Sequence, residues 1–385
     1  MRSLPRISRI FPGNNRRAIR LFWITYWAWF FALLPWMFLR QVGISLGHAA
    51  GVLWTWNRQF HLLDGSLRLL FMNSLPSFVL TTVFGERFTA IHFQDTLIDP
   101  GPLFARRRLR RYFEDTHPRI MAVVATHAHE EHAGNAPLAS KLAKAPIYGS
   151  EYTLQAIRDP EPISLPRRTF MGQPEPASAL ELRPLTTTLT TPEATLEVIQ
   201  SPGHCKGHAS LFDRELGVLF AGDSFLHTIF TAPNREVSAA EWNRTLEDYL
   251  QLDIRTMVGT HGLVYTADER ICPIPFVVQR RDPRQMIVEK LEFMRWARDV
   301  VAEGERRNLP YSVIEACLFP WQRWWAWQTW FTDEGGRLFS AGEFSRTYFV
   351  RSLSETPEKV PARFPPFARL VNRLRHGPKS RVQGA

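Results

Sequence analysis

The stretch that most constrains this chain is a short apolar run that empties into a cluster of ligand-type side chains. Residues 119–125 read RIMAVVA, and THAHEEHAG follows at once, with three histidines and two glutamates in six consecutive positions, 127–132. The apolar run predicts a buried β-strand. On an extended loop alternate side chains point the same way, so His127 and His129 can reach one ion. Glu131 shares their parity, and His132 follows where a helix is expected to start. Glu130 has the opposite parity and is expected to face away.

The same arrangement recurs downstream. His204 follows VIQSPG, Asp223 follows LFAG and His261 follows MVGT, each just after an expected strand. Upstream, TLIDPGP closes a strand on Asp99. Residues at the ends of neighbouring strands converge along one edge of a sheet, where α/β proteins commonly build their sites. A nitrogen and carboxylate set with no cysteine in the histidine loop suits zinc, manganese or iron, and a catalytic rather than a closed structural site. Further strands are expected at SFVLTTV and RFTAIHF around a turn at Gly85, and at PIYGS, ATLEVIQ and DIRTMVG. HASLFD and GVLFAGDSF read as a hairpin turning at Arg214 and Glu215. GNAPLASKLAKA reads as a helix, and the Pro- and charge-rich residues 158–178 as a loop or lid. Strands alternating with helices predict an α/β fold, and no internal repeat is present.

Taken in order, TLIDPG, THAHEEHAG, SPGHCKGHASL, LFAGDSF and GTHG resemble the metallo-β-lactamase superfamily, over roughly residues 75–265. The resemblance implies an αββα metallo-β-lactamase sandwich with a dinuclear site at one edge, holding two divalent ions. Zinc is the expected metal, with manganese or iron as alternatives. By position, His127, His129 and His204 would hold the first ion; Glu131, His132 and His261 the second; Asp223 would bridge both. Asp99 matches a carboxylate that orients a ligand histidine from behind, and His208 matches a histidine read as supporting rather than ligating. Glu131 departs from the pattern, which usually has aspartate there. Its extra methylene leaves two roles open: ligand to the second ion, or proton carrier beside a single one.

The chemistry implied is hydrolysis. Two cations lower the pKa of a water toward 7, from about 15.7 in bulk. The resulting hydroxide attacks an ester, thioester, lactone or related centre, and Asp223 or Glu131 returns a proton to the leaving group. The helical pattern at residues 284–304 is similar to the C-terminal helices of the glyoxalase II-like and related esterase branches. The 38-residue spacing from Asp223 to His261 leaves no room for the domain that the nuclease branch inserts. No nucleic acid partner is therefore expected, despite a net charge of +10. Alternatives are a phosphodiesterase acting on a lipid, an iron-dependent redox enzyme of the same fold, and a non-hydrolytic sensor or binding protein.

The ends of the chain point to a membrane. Residues 21–39 carry no charge, a length that can just span the hydrocarbon core as a helix. Six Arg and no acid precede them in residues 1–20. Residues 41–57 are also uncharged, and Pro35 would kink or break a helix, which favours a helical hairpin over one span. A cleaved signal peptide would show a shorter apolar region with a small-residue cleavage site; a buried core helix is the remaining alternative. Six of the 13 Trp fall in residues 23–56 and five in residues 321–330. Trp321, Trp324 and Trp325 would share one helix face, as a core stripe, an interfacial belt or a pocket wall.

The expected organisation is a basic apolar anchor at 1–60, the catalytic domain at 70–270, a C-terminal helical extension at 271–350 and a basic Pro-rich tail at 351–385. The expected partners are a small-molecule or lipid-like substrate and an anionic membrane surface, and the expected location is a bacterial inner membrane. The three cysteines, Cys205, Cys272 and Cys317, do not suggest a disulfide framework.

Overall fold

The computed structural model describes residues 4–56, 58–85, 87–229, 234–320, 324–340 and 342–360. Two seven-stranded sheets form the centre. The first runs β1 (Gln59–Leu62), β2 (Leu67–Phe71), β3 (Thr89–Phe93), β4 (Thr96–Ile98), β5 (Ala122–Val124), β6 (Ile147–Gly149) and β7 (Leu182–Pro184) in sequence order. It is antiparallel to β4 and parallel from there on. The second runs β8 (Thr188–Thr190), β9 (Thr195–Gln200), β10 (Ala209–Asp213), β11 (Val218–Gly222), β12 (Thr256–Gly259), β13 (Val264–Thr266) and β14 (Val278–Arg280). Here β11–β12 and β13–β14 are parallel and the other pairs antiparallel.

Alternate residues of a strand point to opposite faces, and central strands covered on both faces, such as β5 and β11, are apolar throughout. Leu67, Leu69 and Phe71 face the second sheet, while Leu70 faces the outer helices. On β11, Val218 and Phe220 face inward, while Leu219 and Ala221 face the opposite helical layer. Phe93 and Phe220 meet between the sheets with ring centroids 4.9 Å apart.

The helices, in chain order, are α1 (Arg16–Thr55), α2 (Leu75–Phe84), α3 (Arg106–Thr116), α4 (Glu130–Ala133), α5 (Ala136–Ala143), α6 (Glu151–Arg158), α7 (Leu165–Met171), α8 (Ala239–Tyr249), α9 (Pro283–Arg306), α10 (Tyr311–Leu318), α11 (Trp324–Phe339) and α12 (Arg346–Leu353). Residues of α3, α5 and α6 cover the outer face of the first sheet, and residues of α8, α9, α10 and α12 that of the second. This is the αββα sandwich, with the apolar helix α1 at one end of the chain and helices α9–α12 at the other.

The structure corrects several expectations. Of the two arrangements open to the apolar segment, one helix or a hairpin, the structure has one helix: α1 runs through Pro35 without a break and ends at Thr55. Proline removes one hydrogen bond, but Tyr26 before it and Met37 after it are both buried against Trp327 of α11, which holds the helix in line. SFVLTTV lies within α2 rather than a strand. A short, uniformly apolar run carries no period by which to tell the two apart; here Ser74 O accepts from Phe78 N at 2.8 Å and starts a helical turn. The expected loop at 158–178 contains α7. Trp321 lies outside the described residues, as do the side chains of Trp324 and Trp325, so their shared face is not described. The first part of the expected tail is packed: α12 runs to Leu353, and both Leu353 and Val360 are buried.

Candidate metal centre

Five strand ends build the site. Asp99 follows β4 with φ +47°, a left-handed turn that aspartate tolerates better than most residues. Its carboxylate accepts from Thr126 N at 2.8 Å and from Thr126 Oγ1 at 2.7 Å, which ties the end of β4 to the end of β5. His127 follows, fully buried, with Nδ1 3.0 Å from Thr126 Oγ1. His129 sits at the start of α4, and His132 is carried on its single turn. From the second sheet come His204 after β9, Asp223 directly after β11 and His261 after β12.

These residues converge. His127 Nε2 lies 3.0 Å from His129 Nδ1, and His204 Nε2 lies 3.3 Å from the same atom. Tetrahedral ligands at about 2.0–2.1 Å from a zinc ion stand about 3.3 Å apart, so the three nitrogens have the spacing of one cation's ligands. Asp223 Oδ2 stands 3.4 Å from His132 Nε2, 3.4 Å from His261 Nε2, 3.5 Å from His204 Nε2 and 3.9 Å from His127 Nε2. His132 Nε2 and His204 Nδ1 are buried without a hydrogen-bond partner. His132 Nδ1 lies 3.3 Å from Asp99 Oδ2, an orientation that turns Nε2 toward Asp223. Two sets of ligand atoms thus lie close enough for metal binding: His127, His129, His204 and Cys205 in one, His127, His132 and Asp223 in the other. Glu131 enters neither; its Oε1 lies 3.9 Å from His129 Nδ1.

The electrostatics fit a cation. Burial holds His127 and His129 well below the ordinary imidazole value, and His204 at about 4, so their lone pairs are free. Burial works against ionising Asp223, but His132 and His261 outweigh it and keep the carboxylate well below its usual range. Burial likewise opposes charge on His132, yet Asp223 and Asp99 overcome it and raise the imidazole to about 10. Without metal, the positive charge that the Asp223 and Asp99 carboxylates attract falls on His132, a role that divalent ions would take over. Burial, then Glu130, raises Glu131 to about 7.

His208 does not point at the cluster. Its Nε2 accepts from Asp223 N at 3.0 Å, which places the proton on Nδ1, facing Ser201 Oγ at 2.8 Å. It stacks under His127 at 5.0 Å. Gly222 permits this contact, since a Cβ there would stand 2.5 Å from His208 Nε2.

Several residues near the site were not apparent from the sequence. Arg167 of α7 pairs with both oxygens of Glu130, reaches Glu343 Oε2 at 2.7 Å and lies 4.9 Å over the Phe344 ring. Phe344 in turn packs edge-on to His129 at 5.8 Å. Glu130 does point away from the ligands, as its parity predicts, but into a buried ion pair rather than solvent. Cys205 is buried beside the three-histidine group. A cavity of 540 Å³ opens beside His129, lined by Glu130, Arg167, Tyr152, Lys206, Glu236 and Phe344 among others. Its residues 159–163 and 174–175 come from the segment expected to be a lid.

The family model described as the metallo-beta-lactamase superfamily matches residues 94–261. No curated protein sequence matches the chain. Among solved structures, a beta-lactamase domain protein from Burkholderia ambifaria aligns with a TM-score of 0.50 at 16% identity, over 72% of this chain and 87% of that one. A metallo-beta-lactamase family protein from Thermus thermophilus aligns at 0.48 and 20% identity, over 72% and 94%. The flavodiiron protein from Giardia intestinalis aligns at 0.45 and 14% identity, over 63% and 60%. The Burkholderia likeness concerns the fold alone.

Proposed function

We propose, from the match of residues 94–261 to the metallo-beta-lactamase superfamily model, that this chain is a metal-dependent hydrolase of an ester, thioester or lactone bond in an amphiphilic substrate. The observation that carries the reading is the position of Asp223, whose Oδ2 stands within 3.9 Å of four histidine Nε2 atoms from two sides. Such a carboxylate suits a bridge between two cations. His127, His129 and His204 would hold the first ion, and His132 and His261 with Asp223 the second.

Two divalent ions would supply Lewis-acid charge to polarise a carbonyl and to acidify a water. The chain's own residues do the rest. Asp99 and Thr126 fix the loop that presents His127, and Asp99 also orients His132. Thr260 Oγ1 donates to Asp223 Oδ1 at 3.2 Å, and His208 accepts from its backbone, so the carboxylate cannot swing away. Glu131 stands beside the three-histidine group without joining either ligand set, a position suited to carrying a proton to the leaving group. The cavity beside His129 would take the polar part of the substrate, since its walls carry both acidic and basic side chains.

The substrate's amphiphilic character rests on α1, the one helix among the described residues long and apolar enough to cross a membrane. Metal analysis of the purified full chain, joined to a screen of thioester, lactone and phosphodiester substrates, tests the reading. Two zinc or manganese ions per chain, with turnover lost on chelation, are expected. Full turnover by metal-free protein would overturn it, and a single tightly held iron would favour the redox alternative.

A further inference from the structure

Taking the chain as a membrane-associated hydrolase, we infer that α1 lies flat in the surface of an anionic bilayer and does not cross it, so that both its ends and the catalytic body stay on one side. Length and composition alone permit a span. The packing argues otherwise. Phe22, Tyr26, Phe30, Leu33, Met37 and Ile44 form one stripe against Trp327, Trp330 and Phe331. The stripe continues through Gln41, whose Nε2 donates to Val83 O at 3.1 Å and whose Oε1 accepts from Trp327 Nε1 at 3.1 Å. It ends with Gly51 under the Phe276 ring. From residue 22 to 51 at 1.5 Å per residue the body covers about 44 Å of helix. A hydrocarbon core is about 30 Å thick, so a crossing helix would drag its protein cover into lipid.

That cover carries charge. Arg346 pairs with Glu315 at 2.9 Å and with Glu334, within electrostatic reach of Tyr26 in the middle of the uncharged stretch. Placing this cluster at hydrocarbon depth is strongly unfavourable.

The opposite face suits a bilayer surface. Leu21, Phe31, Phe38, Leu39, Leu46 and Leu53 are 62–68% exposed. At 100° per residue they centre about half a turn from the buried stripe. Leu75 and Val79 of α2 extend the patch at 78% and 44% exposure. An apolar area of this extent marks an interaction surface rather than ordinary protein surface. Arg17 and Arg20 lie on the same face at its start, and residues 1–20 hold no acid, which complements anionic headgroups. Between Leu21 and Leu39 the helix carries no charge on either face, because one face is covered by protein and the other by lipid.

The test uses the full chain with Cys272→Ser, which removes the one exposed cysteine; Cys205 and Cys317 are buried. Single cysteines are placed at either end of α1, Asn14→Cys or Arg58→Cys, and sealed membrane vesicles from expressing cells are treated with an impermeant maleimide. Both positions should behave alike, either both labelled or both protected until detergent is added. Opposite behaviour means a crossing and overturns the proposal. Phe31→Ser, Phe38→Ser and Leu39→Ser combined should weaken partitioning onto phosphatidylglycerol-containing vesicles by more than about tenfold. Unchanged partitioning overturns the proposal, as does a detergent-free dimer that ignores vesicles and buries this face itself. Neither readout depends on turnover, so a failure of the hydrolase reading is separately visible.

Discussion

Arg167 clasps Glu130 through two nitrogens, with Nε 2.6 Å from Oε1 and a terminal nitrogen against Oε2. The pair is mostly buried, with side-chain exposures of 18% and 4%. It fastens α7 to the helix turn that presents His129 and His132. Removing one partner leaves a buried charge alone, at a cost of roughly 3–5 kcal/mol. Arg167→Ala should therefore lower the free energy of unfolding by an amount of that order, measured by chemical unfolding. Arg167→Lys should recover only part of it, because an ammonium cannot form the two-pronged contact. Unchanged stability in both variants would show that the pair holds nothing in place.

Asp223 predicts metal stoichiometry. Asp223→Asn removes the carboxylate shared by the two histidine groups, and His127→Ala removes a nitrogen that both ligand sets include. Each variant should bind less than the wild-type complement in elemental analysis and lose turnover by a factor of about 10³ or more. Metal added to chelated wild type should raise its melting temperature, since binding to the folded state alone stabilises it by roughly 3 kcal/mol at a hundredfold excess over Kd. A melt insensitive to chelator and metal would argue that no ion is held.

Glu131 separates the two roles its longer side chain leaves open. Its place outside both ligand sets predicts that Glu131→Gln keeps the metal content and lowers turnover about 10²–10⁴-fold. Loss of one ion per chain on the same substitution would make it a ligand instead.

His92 predicts an acid limit that does not depend on metal. It is buried on β3, with Nδ1 against the Tyr112 hydroxyl and Nε2 without a partner. Burial, aided by Arg68, lowers its pKa from 6.5 to about 4. Between those values the unfolded chain binds more protons than the folded one, so stability is full above pH 6.5 and declines as the pH falls to 4. The loss from this residue is at most roughly 3 kcal/mol. Unfolding of chelated protein from pH 7 to 4 should show a shallower slope in His92→Gln than in wild type, and parallel slopes would reject the assignment.

Gly203 sits at φ +130°, and a Cβ there would lie 2.4 Å from Trp242 Cα. Trp242 in turn packs edge-on to His204 at 5.9 Å. Gly203→Ala must push these backbones apart and displace His204, so metal affinity should fall together with stability. Normal metal binding in the variant would show that the loop can relax.

The site was more legible in the sequence than its surroundings. Each of the seven residues from His127 to His261 lies at or just beyond a strand end, and strand ends are marked by local apolar runs that a sequence displays. Asp99 and His208 were equally visible. Arg167, Glu343 and Phe344 were not, because they reach the site only through tertiary packing, 37 and 176 residues apart along the pairs they form. The helix at SFVLTTV was missed, and the course of α1 through Pro35 was left open, for a related reason. In both, contacts with distant helices override what a short segment prefers by itself.

The proposed ligands are divided between the two sheets: His127, His129 and His132 belong to the first, and His204, Asp223 and His261 to the second. During synthesis the first set leaves the ribosome 129 residues ahead of His261, an interval of roughly 6–26 s at 5–20 residues per second. Through that interval three histidines are present with no opposing shell. An ion captured then is held by half a cage and can leave, whereas one captured after the second sheet closes is held from both sides. Metal loading would thus be a late step in the maturation of this chain, and a bound ion would lock its two halves together.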